Sequence, residues 1–314
     1  MKPNLPTSEK PLKIGTRGSP LALAQAYETR QRLCHAFDLE SSAFEIVVIK
    51  TTGDKVLDRP LKELGGKGLF TREIEEYLLL GKIDIAVHSM KDMPVRQPEG
   101  LLLDTYLERE DVRDAFVSKD FGNLSDLPAS TLVGTSSLRR KAQLKHKRPD
   151  LTVVEFRGNV QTRLKKLAEG VASCTFLAMA GLNRLNMAHL AKSSIEVEDM
   201  LPAVAQGAIG IERRAADNSA AFLLEAIQHA PTGLRLTAER AFLRELDGSC
   251  ETPIAGLAEL QEGSLRLRGE VLRPDGSEVI KDEASAPIED GEILGIEMAR
   301  KLLEQAGSGF FDWM

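Results

Sequence analysis

The stretch "GKIDIAVHSMKDMP", residues 81–94, decides how this chain is read. Ile83, Ile85, Ala86 and Val87 form an apolar run of strand length. The run passes directly into His88, Ser89, Lys91 and Asp92, and Pro94 ends it. In open α/β sheets ligands sit beyond the carboxyl ends of the strands. An apolar strand that delivers a hydroxyl, an ammonium and a carboxylate at that end therefore reads as one wall of a ligand site.

The flanking sequence repeats the pattern. Short apolar runs alternate with amphipathic helical patterns from about residue 12 to residue 230, which predicts an α/β fold. "LKIGT" reads as a first strand, and "GSP" then supplies Ser19 as a helix N-cap with Pro20 at the first helical position. The helix that follows places Leu23, Ala26, Tyr27, Leu33, Cys34 and Phe37 on one expected buried face. "FEIVVIKTTGD" is a second strand, and "FTREIEEYLLLG" a short helix with Thr71 as its expected cap and Gly81 as its stop. Beyond "EREDVRD", residues 108–114, the strands are "AFVS", "TLVGTS", "TVVEFRGN" and "CTFLAMAG", with helices at about 137–146 and 160–169. "LPAVAQGAIGIERR" returns to strand character. After about residue 230 the style changes to a helix, a hairpin turning at "PDGS" and a closing amphipathic helix, which predicts a separate α+β domain. No internal repeat is visible.

At 314 residues the chain is too long for one core, so two or three domains are expected. The net charge of −6 argues against a nucleic-acid binder. No run reaches bilayer-spanning length and the amino terminus lacks an apolar signal core, so a cytoplasmic location is expected. Three cysteines, at 34, 174 and 250, give neither a disulfide framework nor metal-ligand spacing. Cys34 and Cys174 read as buried small hydrophobes. Cys250, in the loop "DGSCETP", is where a reactive or modified thiol is expected.

The strand ends collect the chemistry. Arg17 and Ser19 follow the first strand, and Ser89, Lys91 and Asp92 follow the opening one. Thr135, Ser136 and Ser137 precede Arg139 and Arg140 in the first turn of a helix. Arg157 stands beside Gly158, Arg163 lies on the helix that Asn159 caps, and Arg184 follows "FLAMAG". Arginine in a first helical turn opposes the helix dipole unless an anion joins it. Solvated surface arginines are the plain alternative, but five or six at equivalent strand ends point to a polyanionic ligand. No phosphate-binding Gly motif follows a strand, so dispersed carboxylates suit these arginines better than a phosphate chain. Asp92 beside Lys91 reads either as a solvated turn pair or as the carboxylate that stabilises a developing cation and manages a proton during amine loss. His88 reads as a packed, hydrogen-bonded histidine.

Eight ordered blocks carry a resemblance: "GTRGSPLALAQA", "GGKGLFTREIE", "DIAVHSMKDMP", "EREDVRDAFVS", "GTSSLRRKAQL", "FRGNVQTRL", "LPAVAQGAIGIE" and "AERAFLRELDGSCETPIA". Together they resemble the porphobilinogen deaminase (hydroxymethylbilane synthase) family from about residue 12 through the last domain. The resemblance implies two periplasmic-binding-protein-like lobes with a double chain crossover and a smaller C-terminal α+β domain. Domain 1 would be 11–107 with 207–227, domain 2 112–202 and domain 3 230–314, with "EREDVRD" and "LPAVAQG" as the crossings. It implies a transferase that joins four porphobilinogens head to tail with loss of ammonia on a dipyrromethane cofactor, then hydrolyses off the linear tetrapyrrole.

By the same resemblance the cofactor is held by a thioether to Cys250, and Asp92 is the catalytic aspartate. Arg17, Arg139, Arg140, Arg157, Arg163 and Arg184 match cofactor- and substrate-binding arginines; Ser19, Ser89, Lys91, Thr135, Ser137, Gly158 and Gln206 match lesser binding positions. Lys67 and Phe70 fall in the loop expected to cover the cleft. The implied partners are porphobilinogen and the growing polypyrrole chain, with no nucleic acid or membrane, and the implied state is a monomer. Two departures stand out: Glu63 where some members carry a second lysine, and Ala205 where Gly is frequent, which predicts a slightly stiffer hinge. A solute-binding module of the same architecture would have no use for Cys250 or Asp92, and an inactive relative that keeps the cofactor as a scaffold finds no support in these motifs.

Overall fold

The computed structural model describes residues 4–55, 68, 71–249, 252–307 and 309–312. Lys67, Phe70, Cys250 and Glu63 lie outside the described residues. In chain order the strands are β1 (Leu12–Arg17), β2 (Phe44–Ile49), β3 (Ile85–Ser89), β4 (Leu101–Tyr106), β5 (Asp114–Ser118), β6 (Leu132–Gly134) and β7 (Thr152–Val154). They continue with β8 (Cys174–Ala178), β9 (Ser193–Ile195), β10 (Ile209–Arg214), β11 (Ile254–Gln261), β12 (Ser264–Leu272) and β13 (Val279–Pro287). The helices are α1 (Pro20–Phe37), α2 (Thr52–Lys55), α3 (Arg72–Leu79), α4 (Leu138–Lys147), α5 (Val160–Ala168), α6 (Met179–Arg184), α7 (Asn218–Glu225), α8 (Ala230–Glu245) and α9 (Gly291–Ala306).

Two compact units account for these elements: Met1–Glu110 with Ala208–Gly233, and Asp111–Gly207 with Leu234–Met314. The first holds a five-stranded sheet of order β2-β1-β3-β10-β4. Strands β2, β1 and β3 run parallel, and β10 runs antiparallel to both β3 and β4. Ile14, Ile85, Val87, Ile209 and Ile211 pack one face of this sheet against Ala26 and Leu33 of α1 and Leu223 and Leu224 of α7. Ile49 and Ala86 pack the other face against Ile74 and Leu78 of α3. Ser89 pairs with Ile209, and Gly210 with Tyr106, so the ends of β3 and β4 and the start of β10 share one edge.

In the second unit a five-stranded sheet has the order β7-β6-β8-β5-β9, with β5 antiparallel to β8 and β9. This is the same order and sense as the first sheet. In each, the antiparallel strand next to the third parallel one is the first strand after the chain enters the unit. Phe116, Val133, Cys174 and Phe176 pack one face with Leu144 of α4. Val117, Phe156 and Leu177 pack the other with Leu167 of α5 and Leu182 of α6. Burial pushes the Cys174 thiol up to about 12, as suits an inert core residue. The same unit holds the antiparallel sheet β11-β12-β13, whose hairpin turns at Gly276 with φ +76°, as "PDGS" predicts.

Several local expectations are corrected. The buried face of α1 is Gln25, Ala26, Thr29 and Leu33, whereas Tyr27 is exposed beneath the Arg30 guanidinium. Ala26, Leu33, Cys34 and Phe37 do pack toward the core as expected, and Gln25 joins them to bond Ser89. Cys34 is half-buried rather than buried, although burial still raises its thiol pKa. Thr71 precedes α3 without making a side-chain cap. Ser19, by contrast, caps α1 by accepting from Ala22 N–H at 3.3 Å, with Pro20 following.

Ala205 is a buried non-glycine residue at φ +61°. The left-handed region costs an L-residue about 1–2 kcal/mol, so this is a position that glycine suits. Glu239 of α8, fully buried, holds it: Oε2 accepts from Ala205 N–H at 2.6 Å while Oε1 accepts from Ala258 N–H of β11 at 2.8 Å. Glu239→Gln turns an amide NH2 toward one of those two donors. We expect it to cost about 1.5–3 kcal/mol in chemical denaturation, and an unchanged midpoint would remove Glu239 from this role.

Candidate functional site

The strand ends of the first unit form a cleft of about 70 Å³, whose lining includes Arg17, Ser19, Gln25, Thr71, His88, Ser89 and Asp92. Each is placed by local chain chemistry. Arg17 closes β1, and the capped start of α1 holds Ser19 directly after it. Ser89 closes β3, and its hydroxyl exchanges hydrogen bonds with buried Gln25, at 2.8 Å from Nε2 and 3.0 Å to Oε1. A single 3-10 turn, Met90–Asp92, then carries Lys91 and Asp92 out of the strand, both half-buried. Met90 is buried under this turn and seats over Gly210 of β10, where any Cβ would collide with its sulfur. Its N–H donates to Ala208 O at 3.0 Å. The returning strand thus fixes the turn that bears Asp92. His88 is packed as expected, its Nε2 3.1 Å from Glu212 Oε2.

At the matching edge of the second unit, Thr135 and Ser137 follow β6. Ser137 caps α4 by accepting from Arg140 N–H at 3.4 Å, and Thr135 Oγ1 accepts from Ser137 N–H at 3.2 Å. The guanidiniums of Arg139 and Arg140 are buried and turn to one carboxylate, Asp114, at 2.7 and 2.6 Å. Arg139 also donates from Nη1 to Leu201 O, and Arg140 from Nη1 to Phe176 O, both at 2.8 Å. Gln206 donates to Asp114 Oδ1 at 2.9 Å and to Val112 O at 2.8 Å. Burial drives the Asp114 carboxyl up, but the two guanidiniums outweigh it and hold the group far below the carboxylate range. Two guanidiniums share one carboxylate here, and Glu270 of β12 is close enough to act on Arg139 as a second acid.

The remaining arginines sit nearby in the same unit. Asn159 caps α5 by accepting from Thr162 N–H at 2.8 Å, and Arg163 Nε donates to Gly158 O at 2.9 Å. Gly158 has φ +125°, and a Cβ there would lie 2.6 Å from Thr162 Cβ, so no other residue fits that corner unstrained. Arg157 Nη1 is buried with no hydrogen-bond partner among the described residues. Arg184 donates from Nη1 to Gly207 O at 3.1 Å. Arg17, Ser19, Ser89 and Asp92 therefore line one cleft; Thr135, Ser137, Arg139, Arg140 and Gln206 gather at Asp114; Arg157, Gly158 and Arg163 mark the start of α5. Lys67, Phe70 and Cys250 are placed nowhere among the described residues. Asp114 escaped the sequence reading because "EREDVRD" reads as one charged linker. The buried Glu75 and Glu212 had no signal beyond a charge inside an otherwise apolar period.

Residues 12–221 match the family model "Porphobilinogen deaminase, dipyromethane cofactor binding domain", and residues 234–304 match "Porphobilinogen deaminase, C-terminal domain". The chain belongs to the porphobilinogen deaminase family. It is 66% identical to the porphobilinogen deaminase of Paracoccus denitrificans (strain Pd 1222) over 309 residues, 98% of this chain and 99% of that one. It is 54% identical to the chloroplastic porphobilinogen deaminase of Pisum sativum, over 96% of this chain and 83% of that one. Among solved structures, an ABC-transporter periplasmic substrate-binding protein from Coxiella burnetii is similar over 71% of this chain and 94% of its own, at 13% identity and a TM-score of 0.43.

The dipyrromethane group of this family bears carboxylates on its pyrrole rings, and the residues present fit it. The second unit offers the unpartnered Arg157 Nη1 and two capped helix starts whose free N–H groups favour anions. Among the described residues no helix is long and apolar enough to cross a membrane.

Proposed function

We propose that this chain is a working hydroxymethylbilane synthase: it condenses four porphobilinogens head to tail, releases ammonia at each step, and hydrolyses off the linear tetrapyrrole. The observation that carries this reading is the cleft wall on which Asp92 stands with Arg17, Ser19 and Ser89. In the reaction the C–N bond of the aminomethyl arm breaks, the nitrogen leaves with the bonding electrons as ammonia once protonated, and the methylene stays on the ring to form the new carbon–carbon bond. Positive charge then develops on the pyrrole being joined, and the attacked ring loses the proton from its α-carbon. A carboxylate at Asp92 stabilises that charge and handles the proton. Arg17 and Ser19 bind the acetate and propionate arms, and Ser89, held by Gln25, with Lys91 orients the ring.

The dipyrromethane, when bound, supplies the free pyrrole α-carbon on which the chain is started. Cys250 would hold it by a thioether, and Arg157, Arg163, Arg184 and the Arg139–Arg140 helix start would take its carboxylates, with Thr135, Ser137, Gly158 and Gln206 as lesser contacts. Lys67 and Phe70 would cover the cleft. We read the second unit as two domains, 112–202 and 230–314, beside a first domain of 11–107 with 207–227, and the enzyme as a cytoplasmic monomer that binds neither nucleic acid nor membrane.

The intact mass of the denatured protein, followed by peptide mapping, tests the assignment. The expected result is an excess of two pyrrole units on the peptide that contains Cys250. If the protein is unmodified and gains no adduct on incubation with porphobilinogen, the reading fails and a binding module is left.

A further inference from the structure

Behind the cleft wall lies a group of acids that the proposed chemistry does not use. Glu212 of β10 is fully buried, and Glu75 of α3 is nearly so. One oxygen of each, Glu212 Oε1 and Glu75 Oε1, is buried with no hydrogen-bond partner among the described residues. An ionised carboxylate only accepts hydrogen bonds, so these two oxygens lack a donor unless a proton stands on one of them or the Thr71 hydroxyl, itself buried without a partner among the described residues, turns to it. Burial, and then the charge of Glu212, push the Glu75 carboxyl above its ordinary value, with the Thr71 hydroxyl and His88 acting in the opposite sense. The raised carboxyl and the orphaned buried oxygen both point to Glu75 as an acid that holds a proton here.

The pocket reaches the cleft at two points. Glu212 holds His88, and Thr71 faces Glu75; His88 and Thr71 both line the cleft with Asp92. The other charged groups on the surrounding elements are committed elsewhere. Glu73 of α3 bonds Thr52, and Glu76 pairs with Arg72. Arg214 of β10 pairs with Asp84 and Asp217, and Asp104 of β4 with Arg213. Arg17 and Asp92 face the cleft itself.

We propose that Glu75 is a positioning residue for the chemistry at Asp92: it keeps a proton in the buried pocket beside the His88–Glu212 pair, so that His88 and Thr71 present one fixed arrangement to the cleft. This rests on the role of Asp92 given above. No proton is transferred to substrate in it; the carboxyl O–H of Glu75 stays in place through the cycle. When Glu75 ionises, a new negative charge stands beside the His88–Glu212 contact, and the cleft wall loses its single arrangement.

The test is kcat and KM against pH for wild type, Glu75→Gln and Glu75→Ala, with dipyrromethane loading checked by intact mass. Wild type should lose kcat on the alkaline side while KM stays constant. Glu75→Gln, a permanently neutral isostere, should lack that limb. Glu75→Ala should fall at least tenfold in kcat at every pH. Stability gives a second readout. An acid whose pKa is raised by folding contributes stability that is complete below the free carboxyl value, about 4.3, and is lost as pH rises through the folded value. Glu75→Gln should thus match wild type near that pH and exceed it in denaturation midpoint above. An alkaline limb that persists in Glu75→Gln, or a Glu75→Gln as slow as Glu75→Ala, overturns the proposal. If Glu75→Ala does not fold, the glutamine profile alone decides. Asp92→Asn run alongside separates the two readings: an active Asp92→Asn sinks the role of Asp92, while the limb and the midpoint still report on Glu75.

Discussion

Replacing Asp92 with asparagine is expected to leave a folded protein that carries its dipyrromethane but releases ammonia from porphobilinogen at least about 100-fold more slowly. The side chain is half-buried on a one-turn loop whose seat is made by Met90 and Gly210, not by Asp92 itself. Asparagine has the same size and occupies the same turn, so stability should be conserved. What it lacks is the negative charge that faces the developing pyrrole cation and the capacity to accept a proton. Kinetic assay with intact-mass measurement of loading separates these outcomes. Wild-type ammonia release in a loaded Asp92→Asn would move the chemistry to another group.

Asp114→Asn has the opposite profile, acting on the fold before the chemistry. Asp114 is fully buried between Arg139 and Arg140, with Gln206 on the same oxygen as Arg140. Removing its charge strands two guanidiniums in the interior, which costs about 3–5 kcal/mol for a broken buried pair. The sign with pH follows from the depressed carboxyl. Its stabilisation is complete above the free aspartate value of about 3.9 and is lost as pH falls below that toward the folded value. Wild type should therefore lose this contribution in strong acid, whereas Asp114→Asn lacks it at every pH. Equal denaturation midpoints for the two proteins near neutrality would show that the arginines are held by something else. Loss of cofactor loading in a variant that stays folded would tie this cluster to binding as well.

Much of this was legible along the chain, and the reasons it stopped are physical. Strands with branched apolar residues, such as "FEIVVI", and the capped start "GSP" announce themselves because the signal is local. β4, "LLLDTY", is less plain because it opens on a leucine run that no alternation interrupts, and β11, "IAGLAELQ", is built largely of Ala, Gly and Leu, weak strand formers. The strand-end arginines were visible as a set, yet what Arg139 and Arg140 touch was not, because Asp114 lies a full strand and loop earlier in the chain. Likewise Ala205 reads as a stiffened hinge, while its left-handed φ and its hold by Glu239 depend on a helix more than thirty residues on. The repeated strand order of the two sheets has no counterpart in sequence, since topology constrains which strands adjoin and not which side chains they carry.

Strand β10 lies inside the first sheet, between β3 and β4, yet it is made late. Roughly 120 residues separate Ser89 from the Ile209 it pairs with, about ten seconds of synthesis at ordinary ribosomal speed. Throughout that interval β3 and β4 are available but the strand that joins them does not exist, so each presents an open backbone edge to whatever else is in solution. The nascent protein is thus most exposed to mispairing while its second half is being translated. Slow codons or chaperone contact in that window should affect its yield more than the same events earlier in the chain.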